Sequence, residues 1–123
     1  GGADVLATAR AGGQPVIKYV ALHRTPEDAA SFDASYCGTH GPLAEKTPGL
    51  VRAEIARVLK TVKGEPALHV MAELYFDDYD ALKTAFKTEE WAASGANLAE
   101  WGGLELVSMY VAEVVDSDGT PPT

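Results

Sequence analysis

Apolar and β-branched residues concentrate in four stretches of the chain and recur at helical spacing in the segments between them. From Val16 to Arg24, the residues Val16, Ile17, Tyr19, Val20 and Leu22 predict a first strand that is apolar on both faces, as suits the middle of a sheet. Periodicity alone does not decide which of its faces meets the helices, that of Lys18, Val20 and Leu22 or the opposite one with Tyr19 and His23. Thr25-Pro26-Glu27-Asp28 then offers a threonine cap, a proline at the first helical position and early acids, so a helix is expected to start at Pro26. Ala29, Phe32, Tyr36 and His40 form its stripe, and Gly38 and Pro42 set its end near Thr39. Leu50 to Val62 alternates aliphatics with Arg52, Glu54 and Arg57, the pattern of a strand with one wet face near an edge. Beyond the turn Gly64-Glu65-Pro66, Ala67 to Phe76 reads as a third strand. Asp77 and Asp78 offer caps for a second helix with the stripe Tyr79, Leu82 and Phe86, and Thr88 caps a shorter continuation. Gly102-Gly103 breaks that helix, and Leu104 to Val115 is expected as the fourth strand.

The resulting order, βαββαβ, predicts an α+β fold: a ferredoxin-like plait with a four-stranded antiparallel sheet and both helices on one face. The other sheet face then needs a cover, which a second copy supplies, so a homodimer in the form of a dimeric α+β barrel is expected. The domain spans 15–115. The Gly/Ala-rich segment 1–14 and the tail 116–123, rich in turn formers and acid, are expected to be disordered.

Eighteen acidic against ten basic residues give a net charge of −8. With the ten cations scattered, neither a nucleic-acid surface nor an anionic membrane is an expected partner. No apolar run approaches the roughly 20 residues of a spanning helix. Cys37 is the one cysteine, so there is no disulfide framework and no cysteine-based zinc set. With no signal-peptide pattern at the start, a cytoplasmic location is expected.

The run Tyr36-Cys37-Gly38-Thr39-His40-Gly41-Pro42-Leu43, followed by Pro48-Gly49-Leu50 and by the Ala72–Asp78 segment AELYFDD, resembles the EthD family of dimeric α+β barrel proteins. The resemblance covers about 16–115. It implies the plait, the dimer and an apolar or aromatic small molecule held in a cavity between sheet and helices. Activities found on similar barrels are those of isomerases, cyclases and monooxygenases, and none of these readings calls for a cofactor in this chain. An accessory or binding role is the alternative, since fold transfers better than chemistry.

His40 is the leading catalytic candidate, because an imidazole exchanges protons near neutrality; at a helix end it can also simply bond the last carbonyls. Tyr36 lies one turn earlier and can converge on the same ligand as proton donor, or serve as a core aromatic. Phe32 extends that stripe. Lys18, Val20 and Leu22 share one face of the first strand, where a lysine needs a cavity, a carboxylate or a ligand. By alternation His69 shares a face with Met71, Glu73 and Tyr75, as part of a cross-strand link or a proton relay. Trp91 is placed as a lid over the cavity mouth, and Trp101 as a core anchor. Three histidines on three separate elements do not make a zinc set, so no metal is expected. Haem has no better support, and neither a phosphate loop nor a nucleophile elbow is present.

Overall fold

In the computed structural model, which describes residues 16–120, strand β1 (Ile17–Arg24) occupies the middle of a four-stranded antiparallel sheet. It pairs with β3 (Leu68–Phe76) on one side and β4 (Val107–Glu113) on the other, and β2 (Leu50–Arg57) joins the outer edge of β3, for the order β2-β3-β1-β4. The positions follow from composition: β1 and β3 are apolar on both sides and take the centre, whereas Arg52, Glu54 and Arg57 keep β2 at a solvated edge. This is the ferredoxin-like α+β architecture. The expected disordered segment 1–14 lies outside the described residues, as do 121–123; residues 116–120 form a turn closed by bonds between Asp116 and Thr120 and from Gly119 to Asp116.

The first helix departs from expectation at both ends. Thr25 is held at the end of the sheet, its N–H and hydroxyl both donating to the Ala67 carbonyl (3.2 and 3.4 Å), which keeps it with the strand, and the helix begins beyond it. Asp28 caps instead, accepting from the Ser31 N–H at 3.0 Å, and α1 spans Ala29–Ser35. The chain then does not stop near Thr39. A π-helical turn, Tyr36–His40, leads directly into α2 (Gly41–Glu45), with the Gly41 N–H donating to the Tyr36 carbonyl. Pro42 is tolerated because it falls in the first turn of α2, where its missing N–H leaves little unmade.

Later elements follow the predicted caps more closely. Asp78 accepts from the Ala81 N–H (2.8 Å) to start α3 (Tyr79–Ala85), and the Thr88 hydroxyl accepts from the Trp91 N–H (3.2 Å) to start α4 (Glu89–Glu100). Of the expected α3 stripe only Leu82 is buried; Tyr79 lies outside with the Lys83 ammonium 5.2 Å from its ring centre. β2 ends at Arg57 rather than Val62 because β3 provides no partner before Leu68, which leaves Leu59 and Val62 exposed. A 3-10 turn over Gly103–Leu106 precedes β4, so that strand starts at Val107.

The helices cover the sheet face that carries Ile17, Ala21, Val70, Ala72, Leu74 and Phe76, and with Phe32, Tyr36 and Leu82 these form the core. Gly103 is one of its tightest points: a Cβ there would sit 2.6 Å from both Leu98 Cδ1 and Trp101 Cη2. Gly103→Ala should therefore destabilise the fold by about 1–3 kcal/mol, the usual cost of overpacking. Urea unfolding would show this as a lower midpoint with an unchanged slope; an unchanged midpoint would mean that α4 and the turn are free to part.

A candidate active site between the sheet and the helices

Alternation along β1 turns Tyr19, Ala21 and His23 toward the helices. They form the floor of a cavity of about 170 Å³, together with Ala72 and Leu74 of β3 and Val107 of β4. Tyr36, His40 and Gly41 close one side, and Trp91, Ser94 and Leu98 of α4 close another. The π turn matters to this wall. In a regular α-helix each step of four residues drifts by about 40° around the axis, so a stripe of fours slides off its face. The wider turn reverses the drift between Tyr36 and His40, and their ring centres lie 5.3 Å apart.

Tyr36 joins the core ring packing to the cavity wall. Phe32 stacks on it at 5.5 Å with planes 10° apart, and His23 meets it edge-on at 4.9 Å. Across the cavity Trp91 packs edge-on against Tyr19 at 4.8 Å. The imidazoles are short of partners: the Nδ1 atoms of both His23 and His40 are buried without a hydrogen bond.

Burial favours the uncharged form of the histidines and tyrosines on this floor and wall. It pulls His23 down to about 4, with the positive charge that His40 and His69 would carry adding to the effect. It also lowers His40, against a hydrogen bond with the Ser94 backbone that works the other way. Burial pushes Tyr19 up to about 12 and raises Tyr36 as well. A neutral imidazole can accept a proton, and a neutral phenol can donate a hydrogen bond.

Of the residues singled out in the sequence, Tyr36, His40 and Trp91 come together around this cavity. Phe32 stands behind Tyr36 in the core and does not line it. Lys18, Val20 and Leu22 point to the opposite sheet face, because the register that turns His23 inward turns them outward. There Lys18 Nζ donates to Glu73 Oε1 at 2.9 Å, and this hydrogen bond, with the lysine charge, holds the Glu73 carboxyl below its ordinary range. The Tyr75 hydroxyl donates to the same carboxylate at 3.2 Å.

His69 is a correction of another kind. The register slips where His23 faces Val70 and Arg24 faces Leu68, so His69 is the extra residue of a bulge. The bulge parts it from Glu73 and turns it toward α1, where its Nε2 lies 2.7 Å from Asp33 Oδ1 and its ring meets Phe32 edge-on at 5.3 Å. Its place is a clasp between sheet and helix outside the cavity. Trp101 packs on the core as expected, its indole N–H donating to Asn97 at 3.1 Å. His23 and Tyr19 line the cavity from the face of β1 that the sequence offered as the alternative to that of Lys18. The available signal was charge, since Lys18 and Arg24 fall in the same alternating set as Val20 and Leu22 and so mark the less enclosed face. Among the described residues no three His, Cys, Asp or Glu side chains gather as a metal-binding group, and no helix is long and apolar enough to cross a membrane.

The fold and cavity define a class: ferredoxin-like α+β proteins with a ligand-sized space beneath the helices. Residues 24–101 match the EthD domain. An EthD family protein from Bacillus halodurans C-125 is 34% identical, with a TM-score of 0.76 over 81% of this chain and 99% of its own. The chain belongs to the EthD domain family. Two more distant structures share the fold. The cofactor-independent oxygenase SnoaB from Streptomyces nogalater is 14% identical with a TM-score of 0.53 over 83% of this chain and 93% of its own. The hydroxynitrile lyase of Passiflora edulis is 9% identical with a TM-score of 0.66 over 83% of this chain and 95% of its own. Dimeric ferredoxin-like proteins are also among the fold neighbours, one of them from Thermobifida fusca (14% identical, TM-score 0.59, 82% of this chain and 91% of its own).

Proposed function

We propose that this chain is a cofactor-independent enzyme of the isomerase, cyclase or monooxygenase type, acting by acid/base chemistry on an apolar or aromatic small molecule in the helix-side cavity. The observation that carries the reading is His40: it lines a mostly apolar cavity, and its Nδ1 is buried without a partner. As a neutral base it would take a proton from a carbon acid or a hydroxyl, while the Tyr36 hydroxyl polarises the substrate oxygen. Such a removal of a proton beside a carbonyl begins all three reaction types. That the same fold serves a cofactor-independent oxygenase and a hydroxynitrile lyase supports a catalytic use of it.

The test uses cyclohexanone as a minimal ketone in deuterated buffer, with deuterium uptake beside the carbonyl followed by NMR. Uptake well above the buffer rate supports the enzyme reading. Binding without enhanced uptake would favour the other reading, a non-catalytic carrier or accessory protein, which the apolar lining serves equally well. The exposed thiol of Cys37 suits a reducing, cytoplasmic setting in either case.

The working unit in this reading is a homodimer. The sheet face away from the helices carries Val20, Leu22, Met71 and Tyr110 around the Lys18–Glu73 pair, and among the described residues no helix covers it. Packing two such faces together would bury on the order of 2,000 Å². Light scattering on a sizing column at micromolar concentration should give twice the 13.0 kDa of one chain; a clean monomer would contradict the barrel.

A further inference from the structure

We propose that His23 is a second ligand-contacting imidazole of the cavity, and that the ligand is a neutral single-ring compound bearing a hydroxyl, a phenol or an enol, shared between His23 and His40. The inference rests on the reading of the cavity as a substrate site and names what it takes.

Size comes first. A cavity of about 170 Å³ is close to the roughly 150 Å³ that accepts a benzene molecule in an engineered apolar core. One ring with a small substituent fits it, with the exposed Ile55, Leu104 and Met109 at its open end. Charge is the second constraint. Tyr19, His23, Tyr36 and His40 are neutral on the walls, and the one acid at the margin, Glu45, is exposed. A carboxylate or phosphate ligand would lose its water without gaining a counter-charge.

The unmade hydrogen bonds select the polar group. His23 is 1% exposed, and its Nδ1, like that of His40, is buried without a partner while both residues line the same space. Buried polar atoms are rarely left so, and two on one cavity point to something that binds there. A neutral imidazole nitrogen is either a donor or an acceptor according to tautomer. A hydroxyl satisfies one of each, since it donates to one ring and accepts from the other; a carbonyl only accepts. Tyr36 packs against both rings, 4.9 Å from His23 and 5.3 Å from His40, and supplies an aromatic wall for the ligand ring.

The probes are phenol, toluene and benzoate, titrated by calorimetry near pH 7.5 against the full chain. Phenol should bind at least tenfold more tightly than toluene, which has the same ring without the hydroxyl, and benzoate should not bind. In ¹⁵N NMR of the wild type, the His23 Nδ1 signal should move on saturation with phenol and stay in place with toluene. His23→Leu should cut the advantage of phenol over toluene severalfold. Because the NMR measurement needs no variant, a substitution that fails to fold leaves the question decided. Equal binding of phenol and toluene, a still His23 signal, or binding of benzoate overturns the proposal. The two readings fail separately: deuterium uptake into cyclohexanone with a silent His23 signal removes only this inference, and tight phenol binding with no uptake removes only the catalytic one.

Discussion

Replacing His40 with asparagine should slow deuterium uptake into cyclohexanone by about 10²- to 10⁴-fold while leaving affinity for the ketone largely intact, the signature of a lost general base. Asparagine keeps much of the volume and some hydrogen bonding of the imidazole, so the packing against Tyr36 is disturbed little. What it removes is the nitrogen that accepts a proton near neutral pH. The π turn that carries His40 has its own backbone bond from Gly41 to the Tyr36 carbonyl, so the helix does not depend on the ring. If the variant instead lost a few kcal/mol of stability with uptake unchanged, the histidine would be a helix-end residue and the base would have to be sought elsewhere.

Acid should weaken the fold early, before most carboxylates titrate. His23 ionises near 6.5 in the unfolded chain and near 4 in the folded one, so between those values the unfolded state binds a proton that the native state refuses. Stability from this group is therefore complete above pH 6.5, falls as the pH drops toward 4, and changes no further below that. The full loss amounts to about 3 kcal/mol. His40, lowered in the same direction by burial, adds to the fall in the same range. Glu73 acts lower: its folded value lies below the ordinary 4.5, so its contribution is present above that pH and disappears beneath it. Denaturant midpoints measured from pH 7.5 to 4 should trace the histidine decline, and His23→Leu should flatten most of it. A curve that stays level to pH 5 in the wild type would show that His23 is solvated or paired in solution.

The fold was legible because its main signals are local and agree with one another. The Asp78 and Thr88 caps and the Gly102-Gly103 break lie where turn and cap chemistry alone place them. The convergence of Tyr36 and His40 was also readable, from spacing and from the EthD resemblance. What escaped depends on contacts distant in sequence. Thr25 has good cap chemistry, but its bonds to Ala67, forty-two positions away, keep it at the end of the sheet. Gly38 and Pro42 read as stops because a π turn has no simple sequence period. The bulge at His69 breaks the alternation of β3 by one residue, and a strict period of two therefore assigned that side chain to the wrong face. For β1 both alternating sets are apolar enough for burial; only Lys18 and Arg24 distinguish them, and that cue gains its meaning once Lys18 is seen paired with Glu73.

The most direct test of the site is a crystal structure of the protein grown with phenol. The ring should lie in the cavity beneath α4, against Tyr36, with its oxygen within hydrogen-bonding distance of the Nδ1 atoms of His40 and His23. Phenol found only on the outer sheet face, or a cavity filled by water with both imidazoles bonded to it while phenol is in excess, would contradict the account.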